Sequence, residues 1–141
     1  MKSKTSSILK SSRLNFLYAL LMVALLIPAS VFSQQVIEIQ VSPNILNLQS
    51  NGVVVTIHTD IQFSDVDAQT VTLSGVVIQS WKADNGGYFV AKFNMDDVKD
   101  IESLEIGEYN TLTLDGIKVS GDDFTGSEDL LVINNVPSGK K

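Results

Sequence analysis

The chain of 141 residues contains no cysteine, a single histidine and a single tryptophan. Without cysteine there is no disulfide to support a fold, no thiol nucleophile and no residue for a lipoprotein anchor. One histidine, His58, cannot supply the several His or Cys ligands of the common zinc sites. It is also the only base available to a Ser-His-Asp arrangement, and no Gly-x-Ser-x-Gly elbow occurs to serve it. His58 falls within a β-branched run, on the face shared by Val54 and Thr56, and reads as a half-exposed strand residue. Long apolar runs are scarce too. The one that exists, Leu14 to Ile27 interrupted by Asn15, is shorter than the roughly 20 residues of a membrane span.

That run is informative in its setting. Lys2, Lys4, Lys10 and Arg13 precede it with no acidic residue, and Pro28-Ala29-Ser30-Val31-Phe32-Ser33 follows. A basic leader, an apolar core and small residues near a cut site form a secretory signal. Val31 and Ser33 suit the positions a signal peptidase reads, so cleavage is expected after Ser33. The competing reading is an uncleaved anchor that tethers the domain; Pro28 and its small neighbours argue against it. The expected organisation is therefore a signal peptide at 1–33, one domain at 34–135 and a loose tail at 136–141. The location is outside the cytoplasm, secreted or periplasmic.

Removing the leader changes the charge. It holds four of the ten basic residues and none of the sixteen acidic ones, which leaves six against sixteen, a net charge of −10. Such a surface repels phosphate backbones and offers no basic stripe for counterion release, so nucleic acid is excluded as a partner. Acidity suits solubility or divalent cations instead.

Alternation in short runs dominates the rest. Strands are expected at Val36–Val41, Ile45–Leu48, Val53–Thr59, Val71–Leu73, Val76–Trp81, Tyr88–Met95, Thr111–Leu114, Ile117–Val119 and Leu130–Ile133. In one of these Phe89, Ala91, Phe93 and Met95 alternate with Tyr88, Val90, Lys92 and Asn94, so one face is buried. Gln49-Ser50-Asn51-Gly52 and Asp115-Gly116 read as tight turns. Asp96-Asp97 is expected to cap a short helix or compact loop near 96–104, with Val98, Ile101 and Leu104 at spacing three. Eight or nine short strands with almost no helix give an all-β, two-sheet antiparallel sandwich; a barrel is the alternative.

Asn44-Ile45-Leu46-Asn47-Leu48-Gln49-Ser50-Asn51-Gly52-Val53-Val54-Val55 resembles a β-sandwich module of extracellular bacterial and archaeal proteins. In that module Asn-x-x-Asn-Leu-x-Ser-x-Gly-Val-Val-x-Val follows a strand ending in Lys-Pro-Gly. Asp65-Val66-Asp67-Ala68-Gln69-Thr70-Val71 and Phe124-Thr125-Gly126-Ser127-Glu128-Asp129 are similar to its later segments. The resemblance spans residues 36 to 133. It implies an immunoglobulin-like accessory domain without catalysis of its own. Many members carry an Asp-rich loop with calcium-site spacing where this chain has Lys82-Ala83-Asp84-Asn85-Gly86-Gly87-Tyr88-Phe89-Val90. Most of the ligands have been replaced here, and Asp84 with Asn85 cannot supply the six to eight oxygens calcium wants. Ser42-Pro43-Asn44 likewise replaces Lys-Pro-Gly.

Three candidate chemistries remain. Asp65, Asp67, Asp122 and Asp123 are candidates for a weak Ca²⁺ site between loops at one end of the sandwich, although acidic loops more often serve solubility. No other cofactor is indicated. Carboxylates such as Asp65, Asp67, Asp96 and Asp97 would be the working pair of a small glycan hydrolase. Trp81 and Tyr88 bracket the Asp84-Asn85 turn and would offer a stacking surface to a sugar ring, although Trp81 packed on the core edge is the simpler account. The leading expectation is a secreted, non-catalytic binding or structural module with an extracellular protein or polysaccharide as partner. Mass spectrometry of the exported chain should find its amino terminus at Gln34. A chain retaining residues 1–33 would mean a membrane tether.

Overall fold

The computed structural model describes residues 33–138. The leader up to residue 32, with the cleavage expectation attached to it, and residues 139–141 of the tail lie outside the described residues. Two sheets face each other. One contains β1 (Gln35–Val36), β3 (Ile45–Asn47), β5 (Val66–Leu73), β6 (Val76–Val77), β9 (Tyr109–Lys118) and β10 (Asp123–Ile133), in the order β1-β10-β9-β5-β6 with β3 also on β10. The other contains β2 (Ile39–Ser42), β4 (Val54–Gln62), β7 (Ser80–Ala83) and β8 (Tyr88–Asn94), in the order β2-β4-β8-β7. This is an all-β sandwich, and four strands against a sheet centred on β10, β9 and β5 is the immunoglobulin arrangement.

Period-two alternation places the core. Val55, Ile57 and Ile61 of β4 and Phe89, Ala91 and Phe93 of β8 point inward against Leu112, Leu114, Phe124, Leu130 and Val132 of the facing sheet. Val55 and Phe93 lie directly opposite one another, both fully buried, as the alternation requires. Thr59 takes an inward position on β4 and its hydroxyl donates a hydrogen bond to the Phe89 carbonyl at 2.6 Å, which offsets the cost of its burial. Val53, the first residue of the expected strand Val53–Thr59, lies just outside β4 and is exposed.

The first expected strand divides. Residues 35–36 pair in parallel with Phe124 and Thr125 of β10, then the chain crosses to pair Ile39–Ser42 with β4, and crosses back to pair Ile45–Asn47 with the far end of β10. Gln49-Ser50-Asn51-Gly52 is consequently no hairpin turn. The turn is closed by Ser50 N–H donating to the Asn47 carbonyl, and it leads from β3 in one sheet to β4 in the other. Val76–Trp81 splits for the same reason, with β6 and β7 in different sheets.

Asp115-Gly116 is not a turn either. It lies inside β9, where Gly116 faces Phe124 across the ladder and the phenyl ring occupies the space a Cβ would need. The hairpin closes further on, at Val119-Ser120-Gly121-Asp122, with Gly121 at φ +95° and its N–H on the Lys118 carbonyl. Phe124 to Asp129 belongs to the eleven-residue β10. The expected helix is present as α1 (Met95–Lys99), which buries Met95 and Val98. Its cap is Asn94, whose Oδ1 accepts from the N–H groups of Asp96 and Asp97 at 2.8 and 3.4 Å, and not the Asp pair itself.

Three substitutions probe this packing. Phe93→Ala should cost about 3–5 kcal/mol on denaturant unfolding, whereas His58→Ala, on the outer face, should cost under about 0.5 kcal/mol. Gly126→Ala should cost about 1–3 kcal/mol, because its Cβ would stand 2.7 Å from Ile39 Cγ2 and 2.8 Å from the Ile37 carbonyl oxygen.

Candidate functional site

Trp81 and Tyr88 do not form one surface. Trp81 lies opposite the fully buried Ala91 on the β7–β8 ladder, so its ring is on the inward side of the sheet. Tyr88 is three residues from Ala91 along β8 and falls on the outward side, its ring close against Gly86. Their nearness in the hairpin was a matter of sequence, and the pleat separates them.

Trp81 is nevertheless 40% exposed, because β7 is the edge strand of its sheet among the described residues. It lines an open groove of about 660 Å³ together with Phe63, Val66, Ala68, Ile117 and Val119 on the apolar side and Asp67, Gln69 and Lys118 on the polar side. The groove exists because β6 covers only Thr72 and Leu73 of β5, leaving the Val66 end of that strand without an outer neighbour. A register irregularity between Asp67 and Thr72 loosens β5 from β9 in the same region, where Thr70 Oγ1 accepts the Ile117 N–H at 2.9 Å in place of a ladder bond. Phe63 sits in a single 3₁₀ turn, Phe63–Asp65, and stacks on the core ring of Phe89 with centroids 6.2 Å apart. One wall is therefore anchored to the core. The side chains of Asp67 and Gln69 are exposed and make no hydrogen bond among the described residues.

Asp84 and Asn85 are not ligand groups of that groove. Asp84 Oδ1 accepts the N–H groups of Gly86 and Tyr88 at 2.8 and 2.9 Å, and the Asp84 carbonyl accepts from Gly87, which has φ +83°. The carboxylate holds its own turn, and Asn85 is exposed at the tip.

The acidic quartet is also divided. Asp65 and Asp122 share a recess of about 300 Å³ with Lys118, Val119 and Ser120. Asp122 there accepts from the Ser120 hydroxyl at 3.0 Å. Asp67, which is on β5 and not in a loop, lines the Trp81 groove, and Asp123 opens β10 opposite Ile117. Nowhere among the described residues do three His, Cys, Asp or Glu side chains converge as a metal site would need. Two carboxylates with a lysine in the same recess do not fit calcium.

The hydrolase quartet is divided between the two ends of the sandwich. Asp96 and Asp97 follow Asn94, which pairs with Val54 at one end of β4, while Asp65 follows Gln62 at the other end. Nine strand residues separate those ends by roughly 27 Å, whereas glycosidic carboxylates stand about 5–9.5 Å apart.

Sequence reading did not find Phe63, Ile117 or Val119 as groove residues. The stretch 66–70 carried no strand expectation and Ile117 was assigned to a strand after a turn that does not form, so nothing local brought them together. Comparison with protein-family models, with curated proteins and with solved structures finds no match to this chain. Two outcomes are expected from the geometry. Millimolar Ca²⁺ should leave the thermal midpoint unchanged in a melt, and Asp84→Ala should cost about 1–2 kcal/mol through its lost turn contacts.

Proposed function

We propose that the chain is an exported, non-catalytic binding module that takes a saccharide in the groove beside Trp81. The observation that carries this reading is the mixed lining. A half-exposed indole and the core-anchored Phe63 offer flat apolar surface, and the uncommitted Asp67 and Gln69 side chains offer acceptors and donors beside it. Sites for small ligands combine apolar walls with a few polar groups in this way, in volumes of about 300–1,000 Å³. The secretory pattern of residues 1–33 puts the domain where polysaccharides are found. The resemblance of residues 36 to 133 to extracellular accessory modules supports the same role.

The separation of the acidic groups supports a non-catalytic role. No pair drawn from Asp65 or Asp67 with Asp96 or Asp97 can flank one glycosidic bond. The test is affinity electrophoresis through gels containing neutral glycans. Wild type should be retarded by at least one polymer, and Trp81→Ala should weaken that retardation about tenfold while keeping the wild-type circular dichroism. Retardation by none of them, or release of reducing sugar that Asp65→Asn abolishes, would remove this reading.

A further inference from the structure

The sequence contains two Asn-Gly pairs, Asn51-Gly52 and Asn85-Gly86. Glycine has no Cβ to shield its peptide nitrogen, so once that nitrogen loses its proton it can attack the side-chain Cγ of the preceding asparagine. Both asparagines are exposed, and the dipeptides alone do not tell them apart. The fold does.

At the β7–β8 turn the reaction is held back. Gly86 N–H, the proton that would have to leave, is donated to Asp84 Oδ1 at 2.8 Å, and the same oxygen accepts the Tyr88 N–H at 2.9 Å. Asp84 N–H reaches the Tyr88 carbonyl at 2.9 Å, and Gly87 N–H the Asp84 carbonyl at 3.0 Å. Asn85 is thus braced on both sides. A nitrogen anion at Gly86 would also form beside an existing carboxylate, which disfavours it.

The β3–β4 connection is different. Ser50 N–H closes its turn on the Asn47 carbonyl, and the next backbone bond along the chain is the Met95 N–H on the Val53 carbonyl at 3.0 Å. Between them Asn51 and Gly52 make no hydrogen bond among the described residues. Gly52 does not have a positive φ, so its backbone does not require glycine. The charge fixed beside this segment is a cation. Lys99 Nζ donates to the Ser50 carbonyl at 2.7 Å, its side chain 13% exposed, and its ion partner Asp96 stands 4.0 Å away and 86% exposed. Asp97 is likewise exposed on α1 and bonds to neither residue of the pair. A nearby positive charge favours the anion that attack requires.

We infer that Asn51 is a self-modifying site, converting to aspartate and isoaspartate without an enzyme, while Asp84 keeps Asn85 intact. Gly52 N gives its proton to solvent and bonds to Asn51 Cγ. The Cγ–Nδ2 bond breaks, ammonia leaves, and a five-membered succinimide remains. Water then opens the ring. Cleavage of the N–Cγ bond restores the ordinary backbone with an aspartate side chain. Cleavage at the α-carbonyl leaves isoaspartate, whose backbone runs through Cγ and is one carbon longer. Either product adds a carboxylate near the Lys99 ammonium. Asn51, Gly52 and Val53 belong to no strand, so the longer backbone is taken up in the connection and the ladders stay intact. The inference is independent of the Trp81 groove, which lies past the opposite end of β4.

The experiment holds the full chain in mildly alkaline buffer and follows the Asn51 and Asn85 peptides by mass spectrometry, with isoaspartate read by methyltransferase labelling. Asn51 should convert about tenfold or more faster than Asn85 in the folded chain, and the two rates should converge in denaturant. Gly52→Ala should slow conversion at Asn51 about tenfold or more while keeping the thermal midpoint, because the added Cβ meets only the flexible Met95 Cε at 3.1 Å and Ser50 Oγ at 3.8 Å. Asp84→Ala should speed conversion at Asn85. Equal rates in the folded chain would overturn the inference. So would faster conversion at Asn85, which would make Asp84 the base that takes the Gly86 proton. A difference that persists in denaturant, or a Gly52→Ala chain converting at the wild-type rate, would overturn it as well.

Discussion

Between Ile37 and Val41 the backbone leaves one sheet for the other, and this crossing is the constraint on which the sandwich depends. It can occur only where β10 presents no side chain toward the interior. Gly126 provides that gap, with the Ile37 carbonyl and the Ile39 side chain resting where its Cβ would be. Two residues on, the inward-facing carboxylate of Glu128 reaches across and accepts the N–H of Val41 on β2. That N–H would otherwise sit part-buried on the outer edge of β2, costing about 1–3 kcal/mol. An absent Cβ and an inward carboxylate together let one short segment pair with both sheets.

Closing that side determines where the molecule is open. On the β1-β2-β3 side the chain passes twice between the layers. On the opposite side the sheets end in β6, two residues long, and β7, four residues long. Strands so short cannot cover β5, and the uncovered part of β5 is where Phe63, Asp67 and Trp81 meet. Short edge strands protect a sheet from pairing with other chains. Here they also leave the open groove beside Trp81.

Alternation made much of this legible. The inward faces of β4 and β8, the pairing of Val55 with Phe93 and the small helix after Asn94 all follow from periodicity and capping. What periodicity cannot tell is whether a glycine makes a turn or makes room. Gly116 and Gly121 stand five residues apart in similar polar settings, and either could close the β9–β10 hairpin; Leu112, Leu114 and Phe124 decide, because their inward register requires the strand to run through Gly116. The division of Val36–Val41 was illegible for a related reason. A strand that changes sheets keeps its alternation, since both sheets bury their faces against the same core. The Trp81 groove depends on strand lengths at the far edge, and those were the least readable feature of all.

The candidate surfaces are defined by polar groups that the fold has not used. Asp84 holds its turn, Asp60 receives the Glu38 N–H, Glu128 seals an edge strand, and Asn110 bonds the backbone of Glu105 and Glu108. Each looks functional in the sequence, and each is spent on the backbone. Asp67, Gln69, Lys82 and Lys92 look no different in the sequence, yet none is consumed. Their composition is ordinary; their availability is a property of the topology, which leaves β5 and the β7–β8 hairpin at the open side. In a small sandwich without cysteine, carboxylates such as Asp60, Asp84, Asp122 and Glu128 are used to satisfy turns and edges. The groups the fold leaves over lie in both sheets, Asp67 and Gln69 on β5 and Lys82 and Lys92 on the β7–β8 hairpin.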